Sequence, residues 1–505
     1  MTSPIPPELA EATVKPIIEW LSAVHGKAAS ENIAILRSHQ RALHDAGLPP
    51  LRHLQLLDFL FDHSFKVVDA FLPELHAISL PAHRKLRHKI RGLQELLENF
   101  ATDYLALFEE LQADVPEKPA RQEEATIWRA VCCLRAHLLI SYLVTSPPGV
   151  GIWQTLHIAY LKACQHDLES HRIPRQELTL EQLYLTALLL HCAQPASFSS
   201  QELEFIADYV SRGADLVALT DTVPTDRRAL FWVDQTRDLP AQPLSRRLPP
   251  PEAAVLYFAC DELAALALDH LQRLEDGYPA YQLDLPAFAD SAAGKGVLRR
   301  LAMRWGTPPK RRFPRRHQSY RVTLCAGMED IWQLLHQQAS LPEASFSEWM
   351  ITNESPDGCA MMHVNGATEH LHVGDLVAIR QDPRDDAPPP PWIVCIVRWA
   401  LSDNPEHIEL GLQILSPAAQ PALLALAHDS EDLPPQASAL LLPELPPLRP
   451  DESVIVPTGM LTRRTEKFSL LLDQEKIHLR EMHTTSIREQ TERVEVFSVA
   501  PNEKP

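Results

Sequence analysis

Residues 310–316 read KRRFPRR and stand directly before the first stretch of the chain in which apolar and polar residues alternate. They lie within a wider basic region, because residues 291–328 contain ten Lys and Arg and no Asp or Glu. The whole 505-residue chain has 47 Lys and Arg against 66 Asp and Glu, a net charge of −19, so the remainder holds 37 basic residues against the same 66. The cations are therefore concentrated at a boundary between two kinds of sequence.

Downstream of this basic region the apolar residues recur with a period of two, which is typical of half-buried strands. Six short strands separated by polar turns predict a small β-barrel over residues 319–416. A helical pattern over residues 328–339 interrupts the first two strands. The six predicted strands span residues 319–325, 347–352, 359–364, 375–381, 392–399 and 408–415.

Upstream, from about residue 10 to residue 275, apolar residues recur at three- and four-residue steps, as in residues 93–111. We expect an all-α region over residues 1–290, joined to the barrel by a basic linker arm over residues 291–318. Helix pairs stacked as an irregular solenoid and a compact helical domain both fit this pattern, because no fixed repeat period is present.

The tail, residues 417–500, contains two kinds of sequence pattern. Residues 417–450 are rich in Pro, Ala and Leu, which predicts a linker with one short helix at 422–428. Alternation returns within residues 451–500, which predicts additional strands that pack on the barrel. The whole chain is therefore expected to be an α+β multidomain protein. The predicted tail strands span residues 453–457, 468–472, 476–481 and 494–499.

Composition excludes several classes of protein. Only 16 Gly against 44 Pro disfavours Gly-rich nucleotide folds. No run of 18 uncharged apolar residues is present, and residues 1–9 lack the pattern of a signal peptide, which predicts a cytoplasmic protein without an integral membrane segment. The net charge of −19 opposes binding to DNA. The eight Cys form no CxxC pair and are expected to be reduced core residues.

Enzymatic motifs are weak in this sequence. Glu369-His370-Leu371-His372 offers two imidazoles but no third ligand at a recognisable spacing, so surface histidines explain it better than a metal site. Gly294-Lys295-Gly296 lacks the flanking Gly and the Ser or Thr of a P-loop. We therefore expect a protein that is not an enzyme, with no catalytic residue, metal or cofactor.

The arginines of the basic segment have a spacing suited to an anion. Arg311 and Arg315 are four residues apart, as are Arg312 and Arg316, and both registers stay open. A guanidinium group can donate two parallel hydrogen bonds to a phosphate or to O6 and N7 of guanine. Taken alone, the cluster also fits a solvated charge run, a clamp onto the acidic remainder of the chain, or a nucleic-acid contact.

A second polar segment, residues 353–358 (NESPDG), lies between two predicted strands. Asn353 and Ser355 can bond base edges or order the turn, while Gly358 permits a positive φ or close approach of a ligand. On its own this segment is an ordinary turn, since it is built from the residues that turns use.

Together, the two segments resemble the PilZ family of cyclic di-GMP receptors, whose pattern is RxxxR followed after a few tens of residues by (D/N)xSxxG. Arg311 and Arg315 match the first motif, and Asn353, Ser355 and Gly358 match the second. The 37 residues between the motifs exceed the usual gap, which we attribute to the inserted helix at 328–339. The resemblance covers about residues 305–416.

This resemblance implies a six-stranded barrel that binds cyclic di-GMP at one edge, with the arginine arm closing over the ligand. Arg311 and Arg315 would contact phosphates and guanine Hoogsteen edges, often of two stacked ligand molecules, and Asn353 and Ser355 would hold the remaining guanine. The arm would become ordered when ligand binds.

The function implied is that of a cytoplasmic receptor whose helical region binds a protein partner. Receptors of this kind control type IV pilus assembly, surface attachment and biofilm formation, or motility, and recruitment to the cell pole or to inner-membrane machinery is consistent with that role. The alternative is an adaptor of the same machinery that acts without ligand. An intact arginine set and an intact Asn-Ser-Gly set favour the receptor.

Overall fold

A computed structural model shows an N-terminal domain that is mainly helical, followed by two β-barrels. We call residues 316–416 the first barrel and residues 420–501 the second barrel. The structure describes residues 7–23, 29–76, 78, 81–114, 121–173, 176–306, 308, 312–336, 341–382, 389–404, 407–426, 436–461, 467–473 and 477–502.

The first eight helices confirm the predicted helical region and share one apolar core that extends from Val14 to Trp305. Local signals set their ends: Thr179 and Gln182 form a reciprocal capping box at the start of α7, and Ser199 and Glu202 do the same at α8. The helices are α1 (Pro7–Ser22), α2 (Ala29–Asp45), α3 (Pro50–His76), α4 (Arg84–Asp114), α5 (Arg121–Leu143), α6 (Ile152–Gln165), α7 (Leu180–Cys192) and α8 (Ser200–Arg212).

The expectation that residues 1–290 are entirely helical is wrong, because a small antiparallel sheet follows α8. Its strands are β1 (Leu230–Asp234), β2 (Gln242–Pro243) and β3 (Val255–Ala259), in the order β2-β1-β3. The bulky runs LFWVD and VLYFA favour strands, and the rings of Phe231 and Phe258 stack 5.5 Å apart. The sequence pattern predicted helix over both β3 and the helix that follows it, α9 (Asp261–Glu275).

The basic linker arm predicted over residues 291–318 is also wrong for its first half, which forms α10 (Ala292–Trp305). Ser291 caps this helix by accepting from the Gly294 amide. Val297, Leu298, Leu301 and Trp305 recur at helical spacing and are completely buried. The helix belongs to the N-terminal core, because its apolar face packs there while its arginines find partners around it.

The predicted six-stranded barrel is confirmed, and all six predicted strands fall within it. Its strands are antiparallel and close in the order β4-β5-β6-β9-β8-β7, and the predicted inserted helix follows the first strand. The elements are β4 (Arg316–Ala326), α11 (Met328–His336), β5 (Phe346–Ser355), β6 (Gly358–Gly366), β7 (Leu376–Gln381), β8 (Ile393–Asn404) and β9 (His407–Ser416).

The tail forms a barrel of its own, so the predicted linker over residues 417–450, with its helix at 422–428, is wrong in its described parts. Two strands occupy that segment, and the four predicted tail strands complete a closed barrel in the order β10-β11-β12-β15-β14-β13. The strands are β10 (Gln420–Leu426), β11 (Ala437–Leu442), β12 (Ser453–Pro457), β13 (Phe468–Asp473), β14 (Ile477–Gln490) and β15 (Val494–Pro501).

The two barrels pack against each other through a separate apolar cluster that also includes α11. Ile331 of α11, Ile396 of β8 and Leu442 of β11 are completely buried there. Trp332 donates from Nε1 to the carbonyl oxygen of Ala422 at 2.8 Å, which ties the inserted helix to the second barrel. The tail strands therefore do contact the first barrel, as predicted, but as the wall of a second barrel.

All eight cysteines lie within the described residues and none forms a disulfide. Six are buried, Cys132 is half-buried, and Cys164 is the exposed exception to the expected core positions. Burial raises the pKa of the Cys359 thiol to about 12, which keeps it protonated and unreactive. Over the described ranges, no helix has both the length and the apolar composition that crossing a bilayer requires.

Candidate ligand-binding site

A cleft of about 770 Å³ lies where α10, the residues before β4 and the two barrels meet. Arginine is the commonest residue on its walls, and the acidic residues are Asp357 and Glu489. The lining residues are Arg299, Met303, Arg312, Phe313, Arg315, Ser355, Asp357, Gly358, Arg398, Trp399, Gly411, Leu412, Gln413, Ile414, Leu415, Leu445, Leu448, Arg449, Arg488, Glu489 and Val496.

The structure brings the two predicted motifs together at this cleft. Arg315 donates from Nη1 to Oδ1 of Asn353 at 2.9 Å. The pairing of β4 with β5 makes this possible, because His317 is in register with Asn353 and Arg316 with Glu354. Sequence positions 38 apart thus share one hydrogen bond.

The second motif forms a tight turn between β5 and β6. The Ser355 hydroxyl lies 2.7 Å from Oδ1 of Asp357 and 3.0 Å from the carbonyl oxygen of Gly358, so it orders the turn from within. A Cβ atom at Gly358 would lie 2.3 Å from the carbonyl oxygen of Leu412. Gly358 is thus required by the close approach of β9, and its φ is not among the positive ones.

The predicted arginines occupy different environments. Arg312 lines the cleft, is exposed, and makes no hydrogen bond or ion pair among the residues that the structure describes. Arg315 is half-buried and also lines the cleft. Arg316 is exposed at the start of β4 and is not one of the lining residues. Arg311 lies outside the described residues.

Asn353 reaches the site through its bond to Arg315 and is not itself a lining residue, whereas Ser355 and Gly358 are. Six of the seven predicted site residues are therefore placed by the structure. Four line the cleft directly and one positions a lining arginine.

Four arginines of the cleft were missed as site residues. Arg299 projects from α10 and pairs with Glu275 at 2.8 Å, while Arg398 lies on β8. Arg449 and Arg488 come from the second barrel. The signal for Arg398 was a single cation within the apolar run of residues 392–399, but nothing local distinguishes Arg449 or Arg488 from other basic residues of the tail.

An ion pair crosses the cleft between the barrels. Arg398 donates from Nη1 to Oε2 of Glu489 at 2.8 Å, from Nη2 to the other carboxylate oxygen, and from Nε to Gln413 at 2.6 Å. Burial alone would raise the pKa of Glu489, but the opposing charge of Arg398, aided by Arg300 and Arg299, holds it below its ordinary value. Glu489 is thus a carboxylate that neutralises Arg398.

The other arginines of α10 are used for structure. Arg300 forms a charge-assisted bond to Glu202, which lies at the start of α8 and is buried. Arg304 donates to the carbonyl oxygens of Ala193 and Gln194, and burial lowers its pKa to about 9. Both guanidinium groups lie over the ring of Phe198, at 4.4 and 4.6 Å from its centre. Part of the basic region therefore binds other parts of the N-terminal domain, as expected for a clamp onto the acidic remainder of the chain.

The walls of the cleft carry six arginines against two carboxylates, which suits an anionic ligand. A metal has no comparable site in the part of the chain that the structure describes, where no group of three His, Cys, Asp or Glu could hold one. His372, of the weak metal motif, contacts Asp375 and Arg493 instead.

Comparisons with known proteins match both the helical domain and the first barrel. Residues 15–225 match a family model described as the N-terminal domain of the cyclic-di-GMP receptor FimW, and residues 333–421 match its middle PilZ domain. The chain is 23% identical to the cyclic-di-GMP receptor FimW of Pseudomonas aeruginosa over an alignment of 538 positions, which covers 88% of this chain and 84% of that protein.

The first match spans α1 to the loop before β1, and the second begins within α11 and ends in β10. The matched PilZ region thus includes the Asn-Ser-Gly motif and five strands of the first barrel, while the arginine motif lies just before it. The prediction made from the two motifs is confirmed: the chain matches a PilZ domain joined to a large helical N-terminal region.

Proposed function

We propose that this chain is a receptor for cyclic di-GMP that binds the nucleotide in the cleft between the first barrel, α10 and the second barrel. The observation that carries the proposal is the bond between Arg315 and Asn353, which joins the two motifs at the edge of an arginine-rich cleft. The name of the Pseudomonas aeruginosa relative supports the same ligand.

The chemistry of the cleft suits this ligand in two ways. Arg312 and Arg315 offer guanidinium groups to its phosphates and to guanine O6 and N7, which are acceptors with matching geometry. We include Arg311 by the motif and Arg316 by the second register. By the motif we also assign Asn353 and Ser355 to the guanine base, and a volume of about 770 Å³ admits one ligand molecule.

The output we propose is control of a protein partner that binds the helical domain, in a cytoplasmic protein recruited to the cell pole or to inner-membrane machinery. Arg299 links the cleft to both neighbours, since it pairs with Glu275 of α9 and donates to Gln490 of β14 at 2.8 Å. A ligand that draws on Arg299 would shift how α10 sits between the helical domain and the second barrel. Type IV pilus assembly, surface attachment and motility are the processes that this kind of receptor would control.

The test is calorimetric titration of the full chain with cyclic di-GMP, with GTP as the specificity control. Arg315→Ala removes a charged donor and should weaken binding roughly 10- to 100-fold, as expected for the loss of one or two charge-assisted hydrogen bonds. Arg321→Ala is the matched control, because Arg321 lies on β4, which begins directly after Arg315, but is exposed and pairs with Glu348 at 3.5 Å, away from the cleft.

Micromolar or tighter binding to the wild type, weakened by Arg315→Ala and unchanged by Arg321→Ala, supports the receptor. A folded wild-type protein that does not bind cyclic di-GMP contradicts it. That result would leave the adaptor that acts without ligand as the better account.

A further inference from the structure

The second barrel repeats the strand connectivity of the first. In each barrel the six consecutive strands close in the order first, second, third, sixth, fifth, fourth. The turn that carries Ser355 and Gly358 connects the second and third strands of the first barrel. The equivalent connection of the second barrel, residues 443–452, contributes Leu445, Leu448 and Arg449 to the same cleft. The two barrels thus present equivalent turns to one site.

Arg449 is a buried cation without a counter-charge. Only 6% of its surface is exposed, and its guanidinium donates to two backbone carbonyl oxygens, those of Leu415 and Pro443. Its Nε has no acceptor, and no carboxylate pairs with it among the described residues. Burial, followed by the nearby charge of Arg488, lowers the pKa of Arg449 to about 10, so it stays charged at neutral pH. An uncompensated buried charge is costly, and an anion in the cleft would relieve that cost.

Arg488 lies beside Arg449, and only part of its guanidinium group is hydrogen-bonded. It donates from Nε to the Ser498 hydroxyl at 2.5 Å and from Nη2 to Asp451 at 3.2 Å. Across the described ranges its Nη1 has no acceptor. Of the two adjacent guanidinium groups, only that of Arg488 pairs with a carboxylate, the exposed Asp451, and both groups line the cleft.

We propose that the second barrel forms the second phosphate-binding wall of the nucleotide site, with Arg488 as a ligand-contacting residue and Arg449 as its buried support. This inference rests on the proposed function and extends it. A cyclic dinucleotide carries two phosphates, so one phosphate lies against Arg312 and Arg315 while the other lies against Arg488. The bound ligand then holds the two barrels together.

The experiment is titration of the full chain with cyclic di-GMP in four forms besides the wild type. Arg488→Ala should weaken binding roughly tenfold or more, and Arg488→Lys should give an intermediate loss, because the ammonium keeps the charge but not the two-pronged donor. Arg480→Ala is the matched control: Arg480 is on the same strand, pairs with Glu452 at 2.7 Å, and lies outside the cleft. It should bind like the wild type.

Asp451→Asn separates a contact with the ligand from a structural role. If Arg488 contacts phosphate, then removing its carboxylate partner leaves affinity unchanged or raises it. If Arg488 acts only through Asp451, this variant loses affinity as Arg488→Ala does, which overturns the proposal. Thermal unfolding of each form shows whether the barrel is folded.

The two proposals fail differently. Binding by the wild type that is weakened by Arg315→Ala but unaffected by Arg488→Ala overturns the second-barrel wall and leaves the receptor intact. Absence of binding by the folded wild type overturns the receptor, and the inference with it.

Discussion

Arg398 of β8 and Glu489 of β14 form a two-pronged ion pair across the two barrels, with Nη1 of the arginine 2.8 Å from Oε2 of the glutamate. Both side chains are about a quarter exposed, so solvent screens the pair less than it screens a surface ion pair. This pair is the polar counterpart of the apolar cluster between the barrels. It also places a protein carboxylate where a ligand phosphate would compete for Arg398.

Glu489→Gln should destabilise the contact between the barrels by about 1 to 3 kcal/mol, because it removes the charge that compensates Arg398. The pKa of Glu489 in the fold lies below its ordinary value of 4.5. The contribution of the pair is therefore complete above pH 4.5 and is lost as the pH falls further, through the lower pKa of the folded state.

Denaturant unfolding of the wild type and the variant at several pH values measures this difference. It should be constant from neutral pH to about pH 5 and shrink below pH 4.5. Glu348→Gln, in the exposed pair with Arg321, is the control and should change the unfolding free energy by less than about 1 kcal/mol. If the difference in unfolding free energy between the wild type and Glu489→Gln grows as the pH falls, the ion pair between Arg398 and Glu489 is not its cause.

Gly358→Ala should destabilise the first barrel by about 1 to 3 kcal/mol, because the new Cβ would meet the carbonyl oxygen of Leu412 at 2.3 Å. The strands β6 and β9 must separate to admit it, and the turn that carries Ser355 moves with them. Thermal unfolding and cyclic di-GMP titration together report the effect.

Gly149→Ala serves as the control, since the nearest atom to its Cβ would be at 3.5 Å, an ordinary contact. It should leave both measurements within error of the wild type. If Gly358→Ala also leaves thermal unfolding and cyclic di-GMP binding unchanged, the close approach of β9 does not explain the glycine of the motif.

Arg300→Ala should destabilise the N-terminal domain by about 3 to 5 kcal/mol, because it leaves Glu202 buried without its cation. Burial already raises the pKa of Glu202, and Arg300 opposes that effect. Chemical denaturation measures the loss, and the double variant Arg300→Ala, Glu202→Gln should recover part of it.

The matched control is Arg273→Ala on α9, whose pair with Asp269 at 2.9 Å is about half exposed on both sides. Its cost should stay below about 1 kcal/mol. If Arg300→Ala and Arg273→Ala lower the free energy of unfolding equally, the ion pair between Arg300 and Glu202 does not stabilise α10, and its apolar face alone does.

The first barrel could be predicted because alternation survives in strands such as β4 and β9, where Thr323 separates Val322 from Leu324 and Glu409 separates Ile408 from Leu410. In β11 the alternation disappears. Leu441 faces the interior of its own barrel, while Leu440 and Leu442 face the cluster between the barrels. A strand buried on both faces reads as a continuous apolar run, which cannot be distinguished from a linker or a short helix by period.

The sequence alone determined the two motifs and, through their resemblance to the PilZ family, predicted a ligand class for the site, since arginine spacing and an Asn-Ser-Gly turn are local patterns. Only the tertiary structure decided which arginines are available. Arg300 and Arg304 are held by α8 and its preceding loop. Arg449 and Arg488, in contrast, reach the cleft from the second barrel, which begins only at Gln420, far along the chain from Arg315. Whether a guanidinium is neutralised depends on long-range packing, because its carboxylate partners come from elements far apart in sequence.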